Sequence, residues 1–275
     1  MIDNKQPIGV FDSGYGGLTI LNELLKELPE YDFLYLGDNA RSPYGTRSYD
    51  VVYDYTLQAV EQLFSMGCEL IILACNTASA KALRTIQQKD LPKIDPNKRV
   101  LGVIRPSVEK LGALTQTKHV GVLGTVGTVR SNSYPMEIEK LYPEIEVVQE
   151  ACPMWVPLVE NNEFTTSGGR YFIKKNIENL LSKDSQIDTI VLGCTHYPIL
   201  KDEVKRYLPN SVNLIAQGEI VAKSLKDYLK RHPEMEVRCS KNGEREFLTT
   251  EFVDSFEEKA SRFLNKNLKA QHISY

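Results

Sequence analysis

The sequence predicts an α/β protein of two pseudo-symmetric lobes, each a mainly parallel sheet flanked by helices, with the functional site in the cleft between them. Three observations carry this. Short apolar runs rich in β-branched residues alternate with segments of helical period, the signature of repeated βα units. The run Ile71-Ile72-Leu73-Ala74-Cys75-Asn76-Thr77 is echoed by Ile190-Val191-Leu192-Gly193-Cys194-Thr195-His196, apolar strand against apolar strand and cysteine against cysteine. The opening Gly9-Val10-Phe11-Asp12-Ser13-Gly14 is likewise echoed by Gly121-Val122-Leu123-Gly124-Thr125-Val126, each a strand running into a turn of small residues.

The elements follow in order. Ile8–Phe11 reads as a strand and Asp12–Gly17 as a glycine-rich turn, after which Leu18, Leu21, Leu25 and Leu28 form one helix face until Pro29 stops it. Phe33–Leu36 is the next strand, a helix runs from about Ser48 to Met66, and Leu70–Ala74, too short for a globular helix, is a buried strand that delivers Cys75 to its C-terminal end. Residues 89–98, charged and carrying two prolines, read as the link between lobes. Beyond the second cysteine lie a strand near Val212–Ile215, a helix from about Gly218 to Leu229, a hairpin whose turn contains Asn242-Gly243, and an amphipathic helix from about Val253 to Leu264. This tail has no third copy of the cysteine-bearing strand, so it is expected to pack back onto the first lobe. The lobes then comprise residues 1–98 plus 208–275, and residues 99–207.

Composition narrows the function. The 275 residues carry 33 Lys and Arg against 36 Asp and Glu, a net charge of -3 without basic blocks, which disfavours nucleic acid as the main ligand. The first residues lack the apolar stretch of a signal peptide and no apolar run approaches the ~20 residues of a spanning helix, so a cytoplasmic protein without membrane contact is expected. Five cysteines, an odd number at irregular spacing, point to free thiols in a reducing compartment.

In open parallel sheets ligands collect at the carboxyl ends of strands, where helix N-termini supply backbone donors. Both Cys75 and Cys194 are expected there, each followed by residues able to grip a carboxylate or amine: Asn76-Thr77 and Thr195-His196. A lone free cysteine is ordinarily inert core; two at equivalent positions of a repeat point to a site. One thiol on each side of a shared cleft suits racemisation, in which a proton leaves one face of a carbon and another arrives on the opposite face, so an acid/base group is needed on each side. His196 and Asp12 are the expected tuners of the thiols. Asp12–Gly17 and the loop Gly37–Gly45 are rich enough in turn residues to line such a site. Cys68, Cys152 and Cys239 have no comparable setting. Gly121, Gly124 and Gly127 follow a strand, but their spacing is wrong for a dinucleotide fingerprint, and Cys194 with His196 lacks the second Cys/His pair a zinc site requires.

Taken together, Phe11-Asp12-Ser13-Gly14-Tyr15-Gly16-Gly17, the loop Gly37-Asp38-Asn39-Ala40-Arg41-Ser42-Pro43-Tyr44-Gly45, Ala74-Cys75-Asn76-Thr77-Ala78 and Gly193-Cys194-Thr195-His196-Tyr197-Pro198 resemble the motifs of bacterial glutamate racemases, over about residues 8 to 222. The resemblance implies interconversion of L- and D-glutamate for peptidoglycan synthesis, no cofactor and no metal, and a homodimer. It implies Cys75 and Cys194 as the two acid/base groups, assisted by Asp12, His196 and Glu160, with Asp12-Ser13, Tyr44-Gly45, Asn76-Thr77 and Thr195-His196 as substrate-binding pairs. Glu150, in a similar setting, competes for the role of Glu160. Two departures stand out: Ile215-Ala216-Gln217-Gly218 where many members have Ile-Asp-Ser-Gly, and Arg105 where many have an acidic residue. The N-terminal extension that carries an activator response in some members is not expected here. The neighbouring alternatives are aspartate racemase or an enzyme acting on a related carboxylate. A gyrase interaction, known for some members, is a secondary expectation because no basic patch supports it.

Overall fold

The computed structural model describes residues 6–264 and 266–275. Its strands form two all-parallel sheets. The first half contributes β1 (Ile8–Asp12), helix α1 (Leu18–Glu27), β2 (Phe33–Gly37), α2 (Tyr49–Ser65), β3 (Leu70–Leu73), α3 (Asn76–Lys81) and β4 (Arg99–Gly102). The second contributes α4 (Ile104–Leu114), β5 (His119–Gly124), α5 (Val126–Ser131), α6 (Ser133–Leu141), β6 (Glu146–Ala151), α7 (Trp155–Glu160), α8 (Ser167–Lys183), β7 (Thr189–Gly193) and β8 (Asn213–Ile215). The tail adds α9 (Gly218–Arg231), β9 (Arg245–Thr249), α10 (Val253–Leu264) and β10 (Gln271–His272).

The sheet orders are β10-β9-β2-β1-β3-β4 and β6-β5-β7-β8. The core order β2-β1-β3-β4 of the first sheet is thus repeated as β6-β5-β7-β8 in the second. Register repeats too: Gly9 lies opposite Ile71 and Phe11 opposite Leu73, while Gly121 lies opposite Ile190 and Leu123 opposite Leu192. The repeat legible in the sequence is therefore a repeat of strand pairing, which brings both cysteines to the same edge of their sheets.

Local chemistry explains the main elements. β1, β2, β3 and β7 are buried along their whole length, as expected for parallel strands covered on both faces. The start of α2 is fixed by Ser48, whose Oγ accepts from the Val51 amide at 3.4 Å. The first lobe buries Leu18, Leu21, Leu24, Val221, Leu225 and Phe256 on one side of its sheet, and Val60, Leu63, Leu73 and Ala78 on the other. Each fully buried Leu, Ile or Phe of this kind contributes roughly 1.5–3 kcal/mol.

Three expectations need correction. Residues 89–98 do not link the lobes, because β4 beyond them pairs with β3, Leu70 opposite Arg99 and Leu73 opposite Gly102. The crossover follows Gly102, where Ile104, Val108 and Leu111 of α4 leave the first sheet to pack with Val120, Val122 and Val191 of the second. The strand near residue 213 belongs to the second sheet, not to the returning tail: β8 pairs with β7, and Ile215 is buried with Val191 and Ile104. The return crossover follows it, since Val221, Ala222 and Leu225 of α9 join the first lobe's core. Finally, Asn242-Gly243 is not a hairpin turn. β9 runs parallel to β2, Phe33 opposite Arg245, and the turn is held by the Asp32 carboxylate, which accepts from the amides of Asn242 and Glu244 at 2.9 and 2.8 Å and from the Asn242 side chain at 2.8 Å. Gly243 there has φ +72°, a left-handed conformation that favours glycine. From α9 onward the tail does pack on the first lobe, with β9 and β10 extending its sheet.

Candidate active site

The two crossovers set the lobes face to face, and the turns after β1, β3 and β7 meet between them. Cys75 caps α3: its Sγ accepts from the Ala78 amide at 3.4 Å and lies 3.4 Å from Ser13 Oγ. Cys194 follows β7, and its Sγ lies 4.0 Å from His196 Nδ1. Each cysteine is only 6% exposed.

Asp12 is fully buried at the end of β1. Its carboxylate accepts from the Gly14 amide at 3.0 Å and, across the lobe boundary, from Thr195 Oγ1 at 3.3 Å. Thr19 Oγ1 also crosses the boundary, donating to the Thr195 carbonyl at 2.8 Å. At Gly16 an added Cβ would sit 2.3 Å from Thr195 Oγ1 and 2.4 Å from His196 Nδ1, so only glycine lets the first turn come this close to the second lobe. On the other side of the cleft Thr77 Oγ1 meets Thr125 Oγ1 at 2.9 Å, and Gly45 abuts Thr125.

His196 Nε2 lies 3.1 Å from Glu160 Oε1 at the end of α7, and its ring meets Phe263 edge-on at 5.7 Å. Glu150 is elsewhere, engaged by Asn176, Asn179 and Lys183, so of the two glutamates it is Glu160 that reaches the histidine. The loop carrying Tyr44 is anchored on buried Asp38, which accepts from Arg41 Nε at 2.7 Å, Thr250 Oγ1 at 2.9 Å and the Tyr44 hydroxyl. The Arg41 guanidinium is sandwiched between the rings of Tyr55 and Tyr275, 4.1 and 4.0 Å from their centroids.

Electrostatics differ from group to group. Burial pushes the Cys75 thiol up to about 12, with the charge of Asp12 adding to it and the hydrogen bonds from Ser13 and Ala78 opposing; charge on Cys194 adds further. Burial also raises Asp12, against the pull of His196, the Gly17 and Gly14 amides and Thr195. For His196 burial works against the cation, but Cys194 and Glu160 prevail and hold it up at about 10.

The arrangement therefore brings to one lobe boundary two thiols from opposite lobes, the His196 imidazole beside Cys194, the buried Asp12 carboxyl, and the hydroxyl groups of Ser13, Thr77 and Thr195. Among the described residues no three of His, Cys, Asp and Glu are grouped to hold a metal ion, and no helix is long and apolar enough to cross a membrane. A groove of about 1130 Å³ between α3, α4, α6 and α9, lined by Arg84, Arg105, Arg130 and Arg231, touches neither cysteine.

Fold and site together define a two-lobed α/β protein with one cysteine at the matching strand end of each lobe. The chain belongs to the Asp/Glu/hydantoin racemase family, whose model matches residues 18–225. It is 39% identical over 273 residues to the glutamate racemase of Streptococcus gordonii, covering 99% of both chains, and 38% identical to that of Geobacter metallireducens, covering 95% of this chain and 93% of that one. Among solved structures, a glutamate racemase of Bacillus anthracis superposes with a TM-score of 0.89 at 35% identity, covering 98% of this chain and 97% of that one. The glutamate racemase of Francisella tularensis, solved in complex with D-glutamate, superposes with a TM-score of 0.87 at 33% identity, covering 98% of each chain.

Of the residues expected at the site, Asp12 with Thr195, Thr77 with Thr125, and Gly45 with Thr125 meet across the lobe boundary, Glu160 and His196 lie against the Gly14 and Gly16 turn, and Ser13 and Asn76 flank Cys75, whereas the Tyr44 side chain is buried in the first lobe against Phe11, Asp38 and Tyr55. Sequence reasoning missed Thr125 and Thr128, whose hydroxyls meet Thr77; the echo between the Asp12 and Gly124 turns was the signal that could have found them. It also missed Tyr134, Ser107 and the role of Gln217, for which no local pattern exists.

Proposed function

We propose that this chain interconverts L- and D-glutamate by a two-base transfer at the α-carbon, with Cys75 and Cys194 on opposite faces of the substrate. The observation that carries the reading is the pairing of the two thiols at matching strand ends of two repeated lobes, whose turns are bonded to each other across the boundary through Asp12 and Thr195.

In the proposed step one thiolate takes the α-proton: the C–H bond breaks, an S–H bond forms, and the electron pair spreads from the α-carbon into the carboxylate. The opposite thiol then gives its proton to the other face and is left as thiolate. A turnover thus exchanges the ionisation states of the sulfurs, and the reverse turnover restores them. Hydroxyls of Ser13, Thr77 and Thr195 and the amides of the turns after β1, β3 and β7 would grip the substrate's carboxylates, while the His196 cation and Asp12 compensate charge as it moves. This chemistry calls on no cofactor. The enzyme would act in the reducing cytoplasm, as a homodimer, and its product would supply peptidoglycan synthesis.

The test is incubation of the purified protein with each glutamate enantiomer in D₂O, reading optical activity and α-deuterium together. Racemisation with one deuterium in each newly formed molecule is expected. Aspartate and hydantoins are assayed alongside, because pocket length and not the thiol pair separates these substrates. Cys75→Ala and Cys194→Ala variants that both racemise near the wild-type rate would overturn the proposal.

A further inference from the structure

Next to Cys75, the three buried side chains of Asn76, Gln217 and Tyr134 close a ring of hydrogen bonds. Asn76 Nδ2 donates to Gln217 Oε1 at 2.7 Å, Gln217 Nε2 donates to the Tyr134 hydroxyl at 2.8 Å, and the Tyr134 hydroxyl donates to Asn76 Oδ1 at 2.8 Å. The second Nε2 hydrogen of Gln217 reaches Ser107 Oγ at 2.8 Å, and Ser107 Oγ passes its own proton to the Val103 carbonyl at 2.8 Å. Asn76, Gln217, Tyr134 and Ser107 are each at most 2% exposed. Every arm of the glutamine amide is used, so the ring fixes its members in one arrangement.

The ring sits where the chain changes lobes twice. Val103 and Ser107 lie on the outward crossover from β4 into α4, and Gln217 lies on the return crossover from β8 into α9. Tyr134 comes from α6 of the second lobe, and Asn76 is the first residue of α3, directly after Cys75.

We infer that Gln217 is a positioning residue for the reaction: it locks the Asn76 side chain to the second lobe and so fixes the first turn of α3, on which Cys75 is mounted and to which substrate binds. The kinetic part of this inference rests on the proposed racemase activity. The structural part does not. The two cysteines occupy equivalent places, yet the ring's hydrogen bonds reach only the turn of Cys75; toward Cys194 the Tyr134 ring makes only a packing contact, against Gly193.

The test uses Gln217→Met, which keeps the side chain's length but makes none of the bonds to Asn76, Tyr134, Ser107 and the Val103 carbonyl, and Tyr134→Phe, which removes one hydroxyl from the ring and preserves its volume. Two readouts are taken. Losing buried bonds of about 1.4 kcal/mol predicts a rise in KM for both glutamate enantiomers of about tenfold, with kcat changed by less than about threefold. Alkylation by iodoacetamide, followed peptide by peptide, is expected to accelerate at Cys75 by about fivefold or more as its turn loosens, with the rate at Cys194 unchanged. If Gln217→Met does not fold, Tyr134→Phe decides alone. Variants with lowered melting temperature but wild-type KM and wild-type alkylation of Cys75 would make the ring a stabilising feature only and overturn the inference. Should the wild-type protein turn over no glutamate, the functional reading fails while the contrast between Cys75 and Cys194 alkylation still decides on Gln217.

Discussion

The turn that carries Cys75 and the turn that carries Cys194 share a backbone plan and differ in how they handle charge. Cys75 caps a true α-helix, accepts an amide hydrogen bond from its first turn, and has the neutral hydroxyl of Ser13 as a side-chain partner. Cys194 leads into a short 3-10 turn, Tyr197–Leu200, and has the His196–Glu160 pair as its neighbour. A helix N-terminus offers partial positive charge from oriented peptides, whereas His196 offers a whole charge that Glu160 helps to keep. The repeated strand-turn unit therefore sets where the sulfurs stand, and the residues around them give the two thiols unlike surroundings. The asymmetry matters because racemisation treats the two faces of one carbon alike, while the protein reaches that result with unlike surroundings.

The largest expected effect comes from breaking the pair itself. Cys75→Ser or Cys194→Ser should each lower kcat by at least about 10³-fold, because in the proposed two-base transfer either change removes an acid/base group on which both directions depend; optical rotation with glutamate checks it. Asp12→Asn should follow at roughly 10²-fold, since the Asp12 carboxylate holds its own turn through Gly14 and reaches across the lobe boundary to Thr195, next to Cys194. His196→Gln sharpens the comparison, as it strips the charged partner from one thiol only. A fall in kcat of about tenfold to a hundredfold is expected, with a change in pH dependence: wild-type activity should decline as pH rises through about 10, where the His196 cation is lost, and the variant should lack that decline. The same group links to stability. Its pKa in the folded protein lies above the ordinary 6.5, so its stabilising contribution is complete below pH 6.5 and disappears as pH climbs to about 10. Thermal unfolding followed from pH 6 to 10 should therefore show a falling midpoint in the wild type that is flatter in His196→Gln.

How much of this was legible beforehand depends on the range over which the deciding contacts act. The cysteine-bearing strands, the Asp12 turn and the paired lobes could be read because each rests on a run of neighbouring residues: apolar stretches such as Ile71–Leu73 and Ile190–Leu192 have the same length and the same small-residue ending. Lobe boundaries were misplaced because residues 89–98 look like a linker, with prolines and charge, but fold into short helical turns that only reposition the chain for β4. The supposed hairpin failed because a glycine-containing turn says nothing about strand direction; the Asp32 carboxylate, 210 residues from Asn242, decides it. Glu160 could be separated from Glu150 only in three dimensions. Gln217 could be read only as a departure from a family pattern, since its partners at 76, 107 and 134 are scattered over the chain and joined only where the crossovers meet.

The smallest effect is expected at the opposite end of β7 from Cys194, and it separates stability from chemistry. Asp188, the residue before that strand, accepts from Thr115 Oγ1 at 2.6 Å and from the amides of Gln116 and Thr117 at 2.6 and 2.8 Å. Burial opposes its charge, but these hydrogen bonds prevail and lower the carboxyl to about 2. Its pKa is thus depressed on folding, so the stabilisation is present above pH 3.8 and is lost as pH falls to about 2. Asp188→Asn keeps the shape, forfeits the charge, and should cost about 1 kcal/mol at neutral pH, while flattening the acid limb of an unfolding-versus-pH curve. Racemisation should stay near wild type, because the change lies a whole strand away from the sulfur. A tenfold loss of kcat in this variant would mean that the β7 turn is not set locally by His196 and Glu160, and the contrast drawn between the two thiol environments would have to be extended to the whole strand.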